Sequence, residues 1–230
     1  MEDSTRKMNE DLLHFLYNYV SENRQQNFQR VIDKRTRYMT IVLENIYQPH
    51  NASAVLRSCD LFGIQDVHII ENKNPYKVNP DVAMGSSKWL NLYHYRQKDD
   101  NTLKTFEFLR RNAYKIVATT PHKDDFNLDD LPLDDKIALV FGNELDGLSK
   151  IALQNADMFV KIPMHGFTES FNISVSASII MHHLTARLHK SNIAWQLSED
   201  EKNEILLQWS KRSIKMSKEL EAYFLKRYAL

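Results

Sequence analysis

Three segments of the chain place polar side chains at the ends of apolar runs, where a packed core does not need them. They are residues 44–58 with Asn51 and Arg57, residues 141–147 with Glu144, and residues 161–178 with Ser170 and Asn172. Domains with a parallel sheet bind their ligands at the carboxyl ends of the strands. Amide, hydroxyl, carboxylate and guanidinium groups at such ends are therefore candidates for a binding or catalytic site.

Each of these segments also has an ordinary structural explanation. Asn51 can cap the first turn of a helix, and Arg57 can be a solvated surface residue. The small residues between Ser174 and Ser178 can simply allow another helix to pack closely. The occurrence of all three segments in this order is what favours a functional site over three separate structural roles.

Other common active-site motifs are absent from the sequence. No GxGxxG, GxxxxGK[ST] or GxSxG segment occurs, so the nucleotide-binding and hydrolase motifs give no support. The single cysteine, Cys59, excludes an internal disulfide framework and any site with several cysteine ligands. His182 and His183 are adjacent on a predicted helix and point about 100° apart, which is poor geometry for a shared metal ion. We expect no metal.

The elements that position these segments alternate between strands and helices. The pattern predicts strands at 39–46, 66–72, 90–96, 114–120, 136–144 and 158–164, and helices at 9–34, 51–61, 102–112, 148–156, 172–189 and 199–227. Several of these strands are uniformly apolar, as in sheets that are covered on both faces. The prediction is an α/β domain with a mostly parallel sheet flanked by helices, from about 38 to 190.

The predicted last helix carries two stripes. Its apolar side has Leu206, Trp209, Met216, Leu220 and Tyr223 at helical spacing, and Lys211, Lys215 and Lys218 fall on roughly the opposite side. We expect the apolar stripe to dock the helix and the lysines to face outward.

The composition is that of a globular protein with an uneven charge distribution. The chain has 230 residues, 43% of them hydrophobic, and 30 basic against 30 acidic side chains. Residues 24–39 hold five bases and one acid, residues 209–230 hold six bases and two acids, and residues 121–150 hold three bases and eight acids. The basic ends suggest an anionic partner, although solvated helix faces explain them equally well.

No apolar stretch is long enough to span a membrane, and the charged N-terminal residues do not resemble a signal peptide. We therefore expect a protein of the cytoplasm without a membrane partner.

The three polar segments resemble the motifs of the SpoU/TrmH family of RNA ribose 2′-O-methyltransferases, in the SPOUT superfamily. Those motifs are an Asn and an Arg six residues apart, an FGxExxG loop and an IPMxGxxxSLNVSxA segment. They appear here as Asn51 with Arg57, as FGNELDG at 141–147, and as IPMHGFTESFNISVSA at 162–177. Phe171 replaces the usual Leu and Ile173 the usual Val, and neither change affects a polar position.

The resemblance implies a fold, a cofactor and an assembly. It implies a SPOUT methyltransferase domain at 39–190 with a deep C-terminal trefoil knot, between helical extensions at 1–38 and 191–230. It also implies a homodimer that binds S-adenosyl-L-methionine (SAM), with Arg57 of one subunit near the cofactor of the other.

The resemblance also assigns residues to roles. The implied catalytic residues are Asn51, Arg57, Glu144, Ser170 and Asn172. The implied cofactor-binding residues are Thr119, Gly142, Ile162, Met164 and Phe171. For RNA binding we predict the basic residues of the extensions, namely Arg30, Lys34, Arg35, Lys211, Lys215 and Lys218.

The implied reaction is methylation of a ribose 2′-hydroxyl. Arg57 is proposed in this family as a general base, but a guanidinium is effectively always protonated, and clamping an RNA phosphate is at least as plausible a role. The basic extensions resemble those of members that modify guanosine 18 in the D-loop of tRNA. The alternatives are ribosomal RNA or another tRNA position as substrate, or a non-catalytic RNA-binding module.

Overall fold

The structure, a computed structural model, describes residues 2–77, 79–97, 100–121 and 125–228. The helices are α1 (Glu2–Tyr17), α2 (Glu22–Ile32), α3 (Pro49–Leu61), α4 (Pro80–Ala83), α5 (Asn101–Arg111), α6 (Lys150–Asn155), α7 (Ile173–Lys190), α8 (Glu199–Ser213) and α9 (Ser217–Tyr228). The strands are β1 (Met39–Glu44), β2 (Asp66–Ile70), β3 (Asn91–Tyr95), β4 (Tyr114–Thr119), β5 (Phe126–Asn127), β6 (Lys136–Phe141) and β7 (Met158–Lys161).

The chain forms two compact units. One is the continuous segment Thr36–Trp195, which contains the whole sheet. The other joins the N-terminal residues up to Arg35 with the C-terminal residues from Gln196 onward, and is helical. Over the described residues, no helix is both long and apolar enough to cross a membrane.

The sheet is parallel throughout, in the order β3-β2-β1-β6-β4-β7-β5. Every residue of β1 is buried, as the continuous apolar run predicts for a strand covered on both faces. Helices α3 and α7 share one core with Ile41 and Leu139, whereas α5 and α6 share another with Val42 and Val140 on the opposite face. The predicted α/β class is therefore confirmed.

A short strand, β5, was not expected from the sequence. The structure places it between β4 and β6, in the acidic stretch 121–150, where Phe126 pairs with Val160 of β7. Two residues are too few to produce a period-2 pattern, so only the pairing reveals this strand.

The prediction of one helix over 9–34 is wrong. The chain leaves α1 after Tyr17 and enters α2 at Glu22, and Ser21 takes the extended N-cap conformation between them. A Ser directly before Glu is a common helix start, so the break had a local signal. The two helices supply Leu16 and Phe28 to the core of the helical unit.

The prediction of one helix over 199–227 is also wrong. Helix α8 begins with a capping box between Ser198 and Glu201 and ends before Ile214, whose backbone is extended (φ −98°, ψ 124°). Because the chain turns there, Met216 is 62% exposed and does not join the buried Leu206 and Trp209. The predicted single apolar stripe therefore ends within α8.

The predicted lysine stripe does not exist as one helix face either. Lys211 lies on α8 and its Nζ is 2.6 Å from a carboxylate oxygen of Glu221 on α9. Lys215 lies in the turn between the two helices, and Lys218 lies on α9. Of these three lysines, Lys215 and Lys218 are exposed and Lys211 is partly buried.

Candidate active site

Three residues from the three polar segments meet through hydrogen bonds. The Asn51 amide donates from Nδ2 to Oε1 of Glu144 at 2.8 Å, and its Oδ1 accepts from Nδ2 of Asn172 at 3.1 Å. These partners are 93 and 121 residues away from Asn51 in the sequence. Asn51 is only 3% exposed and lies at the centre of this network.

Asn51 is free for this role because it does not cap its helix. Helix α3 begins at Pro49, with Gln48 as the N-cap residue, so Asn51 lies inside the first turn. The interpretation of Asn51 as an N-cap is therefore wrong. Both polar ends of its side chain bond to residues distant in sequence, as a buried amide requires.

Glu144 is held in a tight loop at the end of β6. Its carboxylate accepts hydrogen bonds from the backbone amides of Tyr47 at 3.2 Å and Gln48 at 3.3 Å. Asn143 closes the loop by accepting the amides of Leu145 and Asp146 on its Oδ1. The loop therefore directs Glu144 toward the start of α3.

Gly142 makes this loop possible. A Cβ atom at this position would lie 2.1 Å from the backbone carbon of Gly147, because the two residues approach closely where Asn143 bridges to Gly147. Any side chain at Gly142 would force the loop open. The FGxExxG pattern thus has a direct steric reason.

Asn172 is the N-cap residue of α7. Its Oδ1 accepts the backbone amide and the hydroxyl of Ser174, at 2.9 and 2.7 Å. Its Nδ2 donates to Asn51. One side chain therefore both starts α7 and completes the network.

A pocket of about 290 Å³ adjoins the network. It opens where the loops after β4, β6 and β7 meet, at the carboxyl edge of the sheet. The lining includes all five predicted cofactor residues, namely Thr119, Gly142, Ile162, Met164 and Phe171, together with Glu144 and Ser170. The structure therefore brings the residues that were predicted to bind the cofactor together around one cavity.

The pocket wall combines apolar and acidic side chains. Buried Phe141 and Leu148 form part of the wall, and Glu144 and Asp146 supply negative charge. Thr119 is turned toward the sheet, since its hydroxyl donates to the carbonyl of Val140 at 2.8 Å. Such a wall suits a ligand that has apolar surface and a positive charge.

Comparison with known proteins agrees with this arrangement. The model of the SpoU rRNA methylase family matches residues 38–182, which is more than half of the chain. The chain belongs to this family. The matched range contains all three polar segments, and the predicted family is confirmed.

Named relatives extend the similarity over nearly the whole chain. A tRNA (guanosine(18)-2′-O)-methyltransferase of Borreliella burgdorferi is 41% identical over 211 residues, which cover 90% of this chain and 95% of the relative. An enzyme of the same name from Aquifex aeolicus is 30% identical and covers 83% of this chain and 90% of its own length.

Solved structures of the family share the fold. The crystal structure of the A. aeolicus TrmH/SpoU tRNA modifying enzyme aligns with a TM-score of 0.74 at 30% identity, over 84% of this chain and 98% of that one. AviRb from Streptomyces viridochromogenes, solved in complex with the cofactor AdoMet, aligns with a TM-score of 0.59 at 20% identity, over 70% and 64% of the two chains.

Arg57 does not join the network. It lies on α3 six residues after Asn51, which turns it roughly 240° around the helix axis. Its side chain is exposed, and among the described residues it has no hydrogen-bond or ion-pair partner. Of the five residues implied to be catalytic, Arg57 and Ser170 therefore lie outside the network.

Ser170 lies at the rim of the pocket. It is exposed and lines the cavity two residues before Asn172. Exposed Phe171 lies between them and also lines the cavity. This loop therefore brings a hydroxyl and an apolar ring to the same opening.

The predicted RNA-binding residues all lie in the helical unit but differ in exposure. Arg30 and Lys34 are exposed at the end of α2 and directly after it. Arg35 is 1% exposed, with its guanidinium 5.3 Å from the centre of the Trp209 ring. The structure therefore contradicts the prediction that Arg35 contacts RNA, because no part of its side chain can reach a phosphate.

Sequence reasoning missed part of the site. The amides of Tyr47 and Gln48 bind Glu144, but backbone donors leave no side-chain pattern to find. Within the described residues, no three His, Cys, Asp or Glu side chains come together as a metal-binding group.

Proposed function

We propose that this protein transfers a methyl group from SAM to the ribose 2′-hydroxyl of guanosine 18 in the D-loop of tRNA. The proposal rests mainly on the hydrogen-bond network of Asn51, Glu144 and Asn172, which lies beside a pocket at the carboxyl edge of the sheet. The full-length relative from B. burgdorferi, named for this reaction, supports the choice of nucleotide.

The pocket fits SAM in size and in charge. Its volume is near the lower end of the range typical of small-molecule sites. Gly142, Ile162 and Met164 would hold the cofactor beside apolar side chains, and the carboxylates of Glu144 and Asp146 complement a sulfonium cation. SAM supplies an electrophilic methyl group on positively charged sulfur. AviRb, which shares the fold, holds the same cofactor.

The protein contributes positioning and hydrogen bonding to the reaction. The network fixes the carboxylate of Glu144, a residue that lines the pocket, through Asn51 and two backbone amides, so that it need not reorganise during the reaction. Ser170 at the rim can bond to the ribose hydroxyl and orient it for attack. Orientation of two bound reactants supplies a large share of the acceleration in such reactions.

We propose that Arg57 clamps an RNA phosphate. A guanidinium stays protonated and forms paired hydrogen bonds with phosphate oxygens, so it suits binding better than proton removal. Its exposure on the outer side of α3 suits contact with a separate molecule.

We further propose a homodimer in which Arg57 of one subunit serves the pocket of its partner. Helices α3 and α7 pack on each other and expose Leu61 and Val175, at 73% and 43%. A second copy of the chain would cover them. Light scattering should then report twice 27.1 kDa.

The remaining parts of the proposal concern topology and partners. We propose a deep trefoil knot at the C-terminal end of the 39–190 methyltransferase domain, with helical extensions at 1–38 and 191–230, in a protein of the cytoplasm. Exposed Arg30, Lys34, Lys215 and Lys218 of those extensions would bind tRNA phosphates, whereas Lys211 is paired with Glu221.

The decisive test is methylation of an unmodified tRNA transcript with methyl-labelled SAM. We expect one labelled 2′-O-methyl group, mapped to guanosine 18 by alkaline hydrolysis. A transcript with adenosine at position 18 should accept none. Label at another tRNA position, or only in ribosomal RNA, would refute the proposed substrate, and a complete lack of transfer would refute the activity.

A further inference from the structure

A buried carboxylate that has no role in the proposed reaction lies at the end of β1. Glu44 is 1% exposed, and its two oxygens accept three hydrogen bonds. Oε2 accepts the backbone amide of Ser149 at 2.8 Å. Oε1 accepts the hydroxyls of Ser149 at 2.8 Å and Thr102 at 2.7 Å. Burial of a carboxylate is costly and persists only when its oxygens are satisfied in this way.

The position of Ser149 shows what this carboxylate holds. Ser149 follows directly after the loop that carries Gly142 and Glu144, and it is the N-cap residue of α6. The start of the same loop is fixed because β6 pairs with β1, with Phe141 opposite Leu43. Glu44 therefore anchors the far end of the loop that forms much of the pocket wall.

The two segments hold each other reciprocally. Glu44 of segment 44–48 accepts an amide from the end of the 142–149 loop. Glu144 of that loop accepts the amides of Tyr47 and Gln48 in segment 44–48. The carboxylates of Glu44 and Glu144 therefore hold the two segments together.

We propose that Glu44 is a positioning residue for methyl transfer. It holds the 142–149 loop against segment 44–48, so that Glu144 meets Asn51 and the loop backbone lines the pocket. The proposal rests on the function proposed above. An amide at position 44 has one acceptor oxygen in place of two, so its NH₂ group would face either the Ser149 amide or the two hydroxyls. Those hydroxyls already accept from Asn72 Nδ2 and Ala152 N, so the hydroxyl donors would lose their carboxylate acceptor in a buried site.

The test is Glu44→Gln, assayed at a temperature well below its unfolding midpoint. We expect the Kd for SAM, measured by calorimetry, to rise at least tenfold and kcat to fall at least tenfold. The KM for tRNA should stay within threefold of wild type, because the change affects the pocket wall. Amides of 142–149 should exchange hydrogen faster, while those of β1 remain protected.

Asp66→Asn is the matched control. Asp66 is also a buried carboxylate, 8% exposed, which accepts from Asn91 at 2.9 Å and pairs with Arg37 at 3.1 Å. It starts β2, at the opposite edge of the sheet from the pocket. This variant should lose stability but keep the Kd for SAM and kcat within twofold.

Two results would overturn the proposal. One is a folded Glu44→Gln protein with wild-type SAM affinity and kcat, and the other is an equal loss of both in Asp66→Asn. If Glu44→Gln does not fold, Thr102→Val removes one donor to Glu44 and should weaken SAM binding two- to fivefold, and an unchanged Kd would contradict the proposal. Wild-type protein that neither binds SAM nor methylates tRNA would instead refute the proposed function.

Discussion

Replacement of Asn51 by alanine should disable the proposed site while leaving the fold in place. The change deletes the bonds that Asn51 donates to the Glu144 carboxylate and, at 3.3 Å, to Oε1 of Gln48, and the bond that it accepts from Asn172. Glu144 keeps only two backbone donors, at 3.2 and 3.3 Å, which are long for hydrogen bonds to a carboxylate. Its carboxylate can then rotate away from its position at the start of α3.

The expected magnitude follows from the two bonds that join Asn51 to Glu144 and Asn172. A hydrogen bond to a charged group contributes roughly 1.5–3 kcal/mol, and one between neutral groups contributes about 1 kcal/mol. If about 3 kcal/mol of this total serves the transition state, kcat should fall about 100-fold, since about 1.4 kcal/mol corresponds to a factor of ten.

Asn91→Ala provides a control with nearly the same chemistry. Asn91 is 6% exposed and donates to a buried carboxylate oxygen of Asp66 at 2.9 Å, much as Asn51 does to Glu144. It lies at the start of β3, at the opposite edge of the sheet from the pocket. Its loss should lower the unfolding temperature without changing kcat.

The assay is steady-state transfer of labelled methyl groups to unmodified tRNA, with thermal unfolding of each variant measured in parallel. Turnover of Asn51→Ala within threefold of wild type would refute the assigned role. An equal loss of kcat in Asn91→Ala would show that any lost buried bond lowers activity, and would refute the reasoning as well.

Three further predictions test other parts of the molecule. Arg57→Ala should reduce methyl transfer at least 100-fold and leave the Kd for SAM within twofold by calorimetry, whereas turnover near wild type would exclude the phosphate clamp. Lys215→Gln combined with Lys218→Gln should weaken tRNA binding severalfold and flatten its salt dependence, and an unchanged salt slope would assign both lysines to a solvated surface. Burial lowers the pKa of His68 to about 4, so between pH 4 and 6.5 the His68 imidazole is protonated in the unfolded chain but neutral in the folded one. The free energy of unfolding therefore decreases as the pH falls through this range, by at most about 3 kcal/mol. Urea unfolding of His68→Phe should show a weaker pH dependence over this range, and a slope equal to that of wild type would contradict it.

The sequence by itself determined the local features and the family. Continuous apolar runs predicted that β1 and β6 are strands covered on both faces. Gly142 marked a tight loop, in which the structure leaves no room for a side chain at that position. The motif around Asn172 was long enough to identify the family, which the family comparison confirmed. Such features are readable because they depend on the periodicity and size of residues close together in the chain.

The sequence did not predict the breaks that divide the helical segments at both ends of the chain. Ser21 carries a local signal for the break before α2, but no glycine or proline marks the break at Ile214. There the chain turns, and Lys211 on α8 forms an ion pair with Glu221 on α9. Helical periodicity describes residues within one helix and cannot predict a contact between two helices. The same limit explains Arg35, whose burial against Trp209 depends on a segment from the other end of the chain.

Only the tertiary structure decided which distant residues meet. Asn51 forms hydrogen bonds with Glu144 and Asn172 because the sheet order places β6 directly beside β1 and because α7 packs on α3. Glu44 had no motif to mark it, and its role emerges only from the hydroxyls and the amide that surround it. Hydrogen bonds between residues about 60 to 120 positions apart depend on how the chain crosses itself, and no local pattern of residue types encodes that path.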